Sequence, residues 1–259
     1  MRPLERVAVV IPAYSEEALI ESTLRSIPDF VERIVLIDDA SPDRTIARAE
    51  SVGDPRLQIK RLSENSGAGA AIAEGYRLAF EGGASIACVM AGDNQMDPDD
   101  LRPLLLPILE GRADYIVGDR LSHPSAFRAM PLSRFIGNHI LSALSRLLLG
   151  LPIRDSQSGY TALSREGYER LDLARLFPRY GYPNDLLGLA RLAGIRVENI
   201  PVRPRYGEEE SGIRLYHALI VIPAILVRAR LRLMRGGGAR LLPSASTAST
   251  ASTASTKAR

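Results

Sequence analysis

Glu32-Arg33-Ile34-Val35-Leu36-Ile37-Asp38-Asp39-Ala40-Ser41-Pro42-Asp43-Arg44-Thr45 opens with an apolar run and closes on acids, serine and proline. Ile34, Val35, Leu36 and Ile37 have the length and branching of a buried strand. Asp38 and Asp39 fall where that strand ends. Pro42 then suits the first turn of a short helix running to about Ser51. A strand, an acid-bearing loop and a helix in this order begin a βαβ unit.

The same unit repeats on either side. Arg6–Ile11 is a strand, and Ser15, Glu16 and Glu17 suit the N-cap and first turn of a helix that reaches Ile27. Arg56–Arg61, Ser85–Met90 and Asp114–Gly118 are further strands, with helices over Gly67–Phe80 and Pro98–Leu109 between them. This alternation predicts an α/β fold with a mostly parallel central sheet flanked by helices. Ligands of such sheets bind beyond the carboxyl ends of the strands. That rule selects the loops at 12–17, 38–45, 65–69 and 91–97, where acids, glycines and amides concentrate.

Composition limits the function classes. The chain has 259 residues, 46% of them hydrophobic and 24% charged, enough for a full core. Its single cysteine, Cys88, excludes a disulfide framework and a Cys-based zinc site. His123, His139 and His217 show no metal-ligand spacing. No apolar stretch approaches the ~20 residues of a membrane span. No signal peptide is visible, so a cytoplasmic location is expected. The net charge of +3, built from 31 Arg and 2 Lys against 30 acids, gives no argument for a nucleic-acid partner.

The loops carry the chemistry. Pro12-Ala13-Tyr14-Ser15-Glu16 follows the first strand, and Glu16 suits either a ligand contact or a helix first turn. Asp39 can accept hydrogen bonds from a nucleobase or ribose, or serve its own turn. Gly67-x-Gly69 is not a dinucleotide fingerprint, because the third glycine would fall on Ile72 and the motif follows the third strand. It reads either as a loop and helix N-terminus packed close to a nucleotide or as glycines that serve only a tight turn. Ala91-Gly92-Asp93-Asn94-Gln95-Met96-Asp97-Pro98 sets Asp93 beyond the fourth strand, with Asp97 and Asp99 suited to capping the next helix.

This order and spacing over residues 7–120 resembles the nucleotide-sugar half of the family 2 glycosyltransferases, inverting enzymes of GT-A fold. Val117-Gly118-Asp119-Arg120, Met130-Pro131-Leu132-Ser133-Arg134 and Asp155-Ser156-Gln157-Ser158-Gly159-Tyr160 resemble their polyprenyl-phosphate branch, the dolichol-phosphate-mannose-synthase-like enzymes. The resemblance runs to about residue 214. It implies a nucleotide-diphosphate sugar bound by Pro12, Tyr14, Glu16, Asp39, Gly67, Asp93 and Arg120. It implies Mg²⁺ or Mn²⁺ at Asp93 and Gln95, although Ala91 stands where the family carries the first acid of Asp-x-Asp. Catalytic work is implied for Asp93, Arg120 and Asp185, and acceptor contacts for Arg134, Asp155, Gln157, Arg205 and Ser211. The segment 206–212 resembles a mobile loop of the family.

The implied reaction is transfer of a sugar, with inversion, to a polyprenyl phosphate or related acceptor. A phosphate oxygen is already anionic and needs no general base. Two alternatives stay open. One is transfer to a saccharide hydroxyl with Asp185 as base. The other is a nucleotide-sugar-binding or membrane-docking relative without turnover.

The expected organisation is one GT-A-like domain over residues 1–235. It comprises a nucleotide-sugar half to about residue 120, an acceptor half over 121–212 and a basic amphipathic helix over 213–235, interrupted at Pro223. The apolar run 217–227, followed by Arg228, Arg230, Arg232 and Arg235, suits a core helix or a peripheral contact on the inner face of the cell membrane. Residues 236–259 begin with glycines and end in Ala-Ser-Thr triplets, and are expected to be disordered.

Overall fold

A computed structural model describes residues 6–205 and 216–235. Ser211, the loop 206–212 and the tail 236–259 lie outside the described residues. The first half alternates as expected: β1 (Val7–Ala13), α1 (Ile20–Ser26), β2 (Arg33–Asp38), α2 (Thr45–Ser51), β3 (Leu57–Arg61), α3 (Ala68–Glu81), β4 (Ile86–Val89), α4 (Leu101–Leu109) and β5 (Tyr115–Asp119). The second half adds α5 (Ala126–Ala129), α6 (Leu132–Leu149), β6 (Thr161–Ser164), α7 (Arg165–Arg170), α8 (Tyr182–Leu192) and β7 (Val197–Pro201). A π-helical turn, His217–Val221, leads into α9 (Ile222–Arg235).

The strands form one seven-stranded sheet in the order β3-β2-β1-β4-β6-β5-β7. Every pairing is parallel except those of β6, which runs antiparallel to both β4 and β5. Strand alternation divides the core. Ala8 and Val10 of β1 pack in the layer that holds α3, α8 and α9, while Val7, Val9 and Ile11 pack against α1 and α4. In register, Ala13 stands opposite Asp38, so the loops after β1 and β2 leave the sheet level with each other.

One local expectation is corrected. Ser15 does not cap α1, which starts at Ile20; Ser15 takes a left-handed backbone, φ +59°. The loop's N–H groups find partners in the neighbouring loop instead. Ser15 donates to Ser41 Oγ, Glu16 to Thr45 Oγ1 and Glu17 to Asp43 Oδ2. α8 is preceded by Gly181 at its cap, and Asn184 is buried within its first turn. The C-terminal helical segment changes from a π-helical turn to α9 directly before Pro223, where the sequence places its interruption. Asp97 does cap the turn at Pro98, accepting from the Asp99 N–H. No helix among the described residues is long and apolar enough to cross a membrane.

Candidate active site

A cleft of about 720 Å³ opens beyond the carboxyl ends of the parallel strands. Pro12, Tyr14 and Glu16 line it from β1 and the loop that follows, Asp39 from the end of β2, and Asn65 and Gly67 from the approach to α3. Ala91, Asp93 and Gln95 enter after β4, Arg120 after β5 and Gln157 before β6. Phe177, Arg179, Tyr182 and Ile222 are among the residues of the far wall. The fold thus gathers Pro12, Tyr14, Glu16, Asp39, Gly67, Asp93, Gln95, Arg120 and Gln157 around one space. It leaves Arg134, Asp155 and Asp185 off that wall, while Arg205 lines a small cavity beside it with Gln95 and Arg120.

Asp39 is buried, and its oxygens accept from the Ser66 and Gly67 N–H groups, each at 2.7 Å. A carboxylate oxygen has a second acceptor site, so the group can hold this loop and still meet a ligand. Gly67 has φ +97°, and a Cβ on it would come 2.6 Å from the Pro178 oxygen. A Cβ on Gly69 would come 2.2 Å from the Phe177 oxygen. The glycines therefore let the loop press against the backbone at 177–178, a role distinct from the close approach to a nucleotide that the sequence suggests. Ala70 seals the contact by donating to the Pro178 oxygen at 3.1 Å.

Asp93 sits in a tight turn where its Oδ1 accepts from the Gln95 N–H at 3.1 Å and Asn94 takes φ +57°. That turn places Gln95 beside Asp93. Tyr182 stands across from them. Burial pushes its phenol well above the ordinary value, with Arg120 opposing and Asp93 adding to the shift. It remains a neutral hydrogen-bonding group at working pH.

Arg120 is set by a fork. Its Nε lies 2.7 Å from Asp155 Oδ2 and its Nη2 lies 3.1 Å from Oδ1. Asp155 is wholly buried and also accepts from the Gln157 N–H. On this geometry Asp155 positions Arg120. Gln157 is oriented in turn by Ser156 Oγ at 2.8 Å and the Asn184 amide oxygen at 3.3 Å.

Two further site candidates are held in ion pairs. Asp185, the candidate base, is wholly buried; it accepts from the Phe177 N–H and pairs with Arg228 and Arg232. Its oxygens are committed to structure. Arg205 pairs with buried Asp97 at 3.0 Å beside Arg203, and so holds its segment against the loop after β4. Arg134 lies in the first turn of α6, half-buried, outside the cleft wall.

The family model for glycosyl transferase family 2 matches residues 8–172. The chain belongs to that family. It is a glycosyltransferase. A UDP-N-acetylglucosamine–dolichyl-phosphate N-acetylglucosaminyltransferase of Methanococcus voltae is 28% identical over 239 residues, which is 83% of this chain and 95% of the relative. A polyprenol monophosphomannose synthase of Mycolicibacterium smegmatis is 29% identical over 248 residues, which is 91% of this chain and 92% of the relative. Glucosyl-3-phosphoglycerate synthase of Mycobacterium tuberculosis, solved with Mn²⁺, UDP and phosphoglyceric acid, shares the GT-A fold with a TM-score of 0.63 at 23% identity. That match covers 90% of this chain and 79% of the other.

For a family 2 glycosyltransferase, the acid at Asp93 and the amide at Gln95 bear on metal binding. Among the described residues no group of three or more His, Cys, Asp or Glu side chains is placed to hold an ion. One carboxylate and one amide are oxygen donors, and a small divalent cation is commonly held by one or two carboxylates together with substrate phosphates. The donor set therefore fits Mg²⁺ or Mn²⁺ arriving with a diphosphate.

Sequence reasoning missed the far wall of this glycosyltransferase. Phe177, Arg179 and Tyr182 line the cleft, whereas the sequence marks only Asp185 within the segment 177–185. Its signal was present in Gly181-Tyr182-Pro183, a turn followed by a proline-led helix start.

Proposed function

We propose that this glycosyltransferase moves a sugar, with inversion, from a nucleoside diphosphate sugar to a polyprenyl phosphate. The observation that carries this reading is the placement of Asp185. A hydroxyl acceptor needs a general base in reach, and the acid expected to serve is buried behind the wall with its oxygens committed. A phosphate acceptor needs none. Relatives named for transfer to dolichyl phosphate and for polyprenol monophosphomannose synthesis support the same choice.

In this reading the nucleoside end lies among Tyr14, Asp39 and Gly67, and the diphosphate lies between Asp93 and Arg120. An oxygen of the acceptor phosphate forms a bond to the anomeric carbon from the face opposite the diphosphate. The bond from that carbon to the diphosphate oxygen breaks, and its electron pair leaves with the nucleoside diphosphate. No proton moves. Arg120, held rigid by Asp155, stabilises phosphate charge where it builds up. Asp93 and Gln95 would hold Mg²⁺ or Mn²⁺, which supplies positive charge against the departing diphosphate. Arg134, in the first turn of α6, is assigned to the acceptor phosphate outside the cleft. The basic helix over 216–235 would bring the protein to a membrane surface as a peripheral contact.

The test is nucleotide release from UDP-, GDP- and dTDP-sugars with Mg²⁺ or Mn²⁺, with and without polyprenyl phosphate in detergent. Release that needs the lipid phosphate is the expected result. Equal release with a free saccharide in its place would overturn the acceptor assignment.

A further inference from the structure

We propose that Thr45, oriented by Asp43, is a positioning residue for the donor site: it anchors Glu16 and so fixes the loop that carries Tyr14 and Glu16 into the cleft. The inference rests on the donor-site reading for its consequence and on the hydrogen bonds of loop 41–45 for its substance.

The loop after β1 is held by its neighbour. No side chain caps the start of α1. Three successive N–H groups, those of Ser15, Glu16 and Glu17, instead meet Ser41 Oγ at 3.1 Å, Thr45 Oγ1 at 2.9 Å and Asp43 Oδ2 at 3.2 Å. The Arg44 N–H returns a bond to Glu17 Oε2 at 2.9 Å. Ser41 and Thr45 are buried, and neither they nor Asp43 line the cleft. These side chains therefore act on the loop and leave the ligand to it. The conformation they hold is strained. Ser15 and Ala40, one in each loop, both have φ +59°, and Asn94 beside Asp93 has φ +57°. Among the described residues these are the only non-glycine residues with a left-handed backbone, and all three stand next to residues of the cleft wall. Such strain persists only where the surroundings over-determine it.

The relay has a fixed polarity. The Thr45 hydroxyl carries one hydrogen, which goes to Asp43 Oδ1 at 2.6 Å. A lone pair is thereby turned to the Glu16 N–H. The same Asp43 oxygen accepts from the Thr45 N–H at 3.1 Å, so the carboxylate grips Thr45 at backbone and side chain. The Glu16 carbonyl is fixed as well, accepting from the Leu19 and Ile20 N–H groups at 3.0 and 2.9 Å. With both backbone groups held, the Glu16 side chain is delivered to the cleft wall. A Cβ on Gly92 would come 3.3 Å from Glu16 Cγ, so Glu16 also stands against the turn that carries Asp93. Release of the Glu16 N–H would let the strained Ser15 relax and carry Tyr14 and Glu16 out of register with Asp39.

The experiment is calorimetric titration of the full chain with UDP, GDP and dTDP in the presence of Mg²⁺. Thr45→Val keeps the shape and removes the hydroxyl, whereas Thr45→Ser keeps the hydroxyl. For the nucleotide that wild type binds most tightly, Thr45→Val is expected to weaken affinity about tenfold, and Thr45→Ser by less than about threefold. Asp43→Ala leaves the Thr45 hydroxyl in place without its orienting partner and should weaken affinity about threefold. A double-mutant cycle separates positioning from general support. In a Glu16→Ala background, Thr45→Val should cost less than about twofold, because its effect runs through Glu16. If Thr45→Val lowers the thermal midpoint below the titration temperature, Asp43→Ala in the same cycle decides. Wild-type affinity in Thr45→Val, no rescue by Thr45→Ser, or full additivity with Glu16→Ala overturns the proposal alone. Wild type that binds none of the three nucleotides overturns the donor-site reading, and the proposal with it.

Discussion

Asp185 and Arg228 join α8 to α9 through a 2.9 Å ion pair in which the carboxylate is wholly buried and the guanidinium side chain is 44% exposed. Arg232 takes the other oxygen at 3.1 Å. The oxygen that meets Arg228 also accepts from the Phe177 N–H, at 2.9 Å. One carboxylate therefore ties the seat of α9 to the wall of the cleft. The two helices can approach this closely because Gly188 faces Ala229, where a Cβ on the glycine would come 2.7 Å from the alanine's own.

Replacing Asp185 with Ala is expected to lower the unfolding free energy by about 2–4 kcal/mol in denaturant titration. Asp185→Asn should cost less, because an amide oxygen still accepts from Phe177. Nucleotide-sugar affinity should follow the same order, Asn above Ala, since Phe177 and Arg179 share the cleft wall. Equal affinity in all three proteins would detach this residue from the donor site.

Asp93→Asn is expected to reduce kcat by about 100-fold or more while leaving the thermal midpoint unchanged. The amide keeps the turn to Gln95 and removes the charge. Steady-state kinetics at saturating metal checks it, and wild-type turnover in the variant would end the metal assignment. Ala91→Asp, which adds the missing acid, should lower the metal concentration needed for half-maximal rate.

Gly69→Ala places a methyl group 2.2 Å from a backbone oxygen that cannot rotate away. It is expected to destabilise the fold by about 1–3 kcal/mol. Gly137 on α6 has nothing within 4 Å of its added Cβ. Gly137→Ala should stabilise by up to about 1 kcal/mol, through helix propensity alone. Thermal unfolding of both variants checks the contrast, and equal shifts would contradict the packing described.

Acid should loosen the chain at identifiable places. Burial alone would raise Asp43, but hydrogen bonds from the Thr45 side chain and from the Thr45 and Glu17 N–H groups hold it below its ordinary value. At Asp114 burial likewise raises the carboxyl, and hydrogen bonds and charge from Arg196 outweigh it, so it too lies below its ordinary value. A carboxylate lowered in the folded state adds stability that is fully present above the ordinary Asp pKa of about 3.9. That stability is lost as pH falls through the lower folded value. Denaturant midpoints from pH 6 downward should therefore hold until about pH 4 and then fall. Asp43→Asn should flatten part of that fall.

The strands were legible because their apolar runs are unbroken. Val7–Ile11 and Ile34–Ile37 announce themselves, and strand ends then point to Asp39, Asp93 and Arg120. Partnerships across the chain were not legible. Nothing local to Asp185 says that Arg228 and Arg232 reach it from α9. Gly67 and Gly69 were visible as glycines, but the backbone at 177–178 that requires them lies more than a hundred residues away. The direction of β6 was hidden too, since a four-residue apolar strand reads the same either way.

β6 wedges between β4 and β5, and β5 pairs only with β6 and β7. During synthesis, then, β5 emerges with no neighbour to join until the ribosome has made residues 161–164. A chain halted near residue 120 exposes β4 as an open edge and leaves β5 adrift, the condition in which nascent sheets aggregate. Residues 1–120 are therefore not expected to fold as a portable unit, and the late-arriving wedge makes for slow, long-range closure rather than stepwise growth.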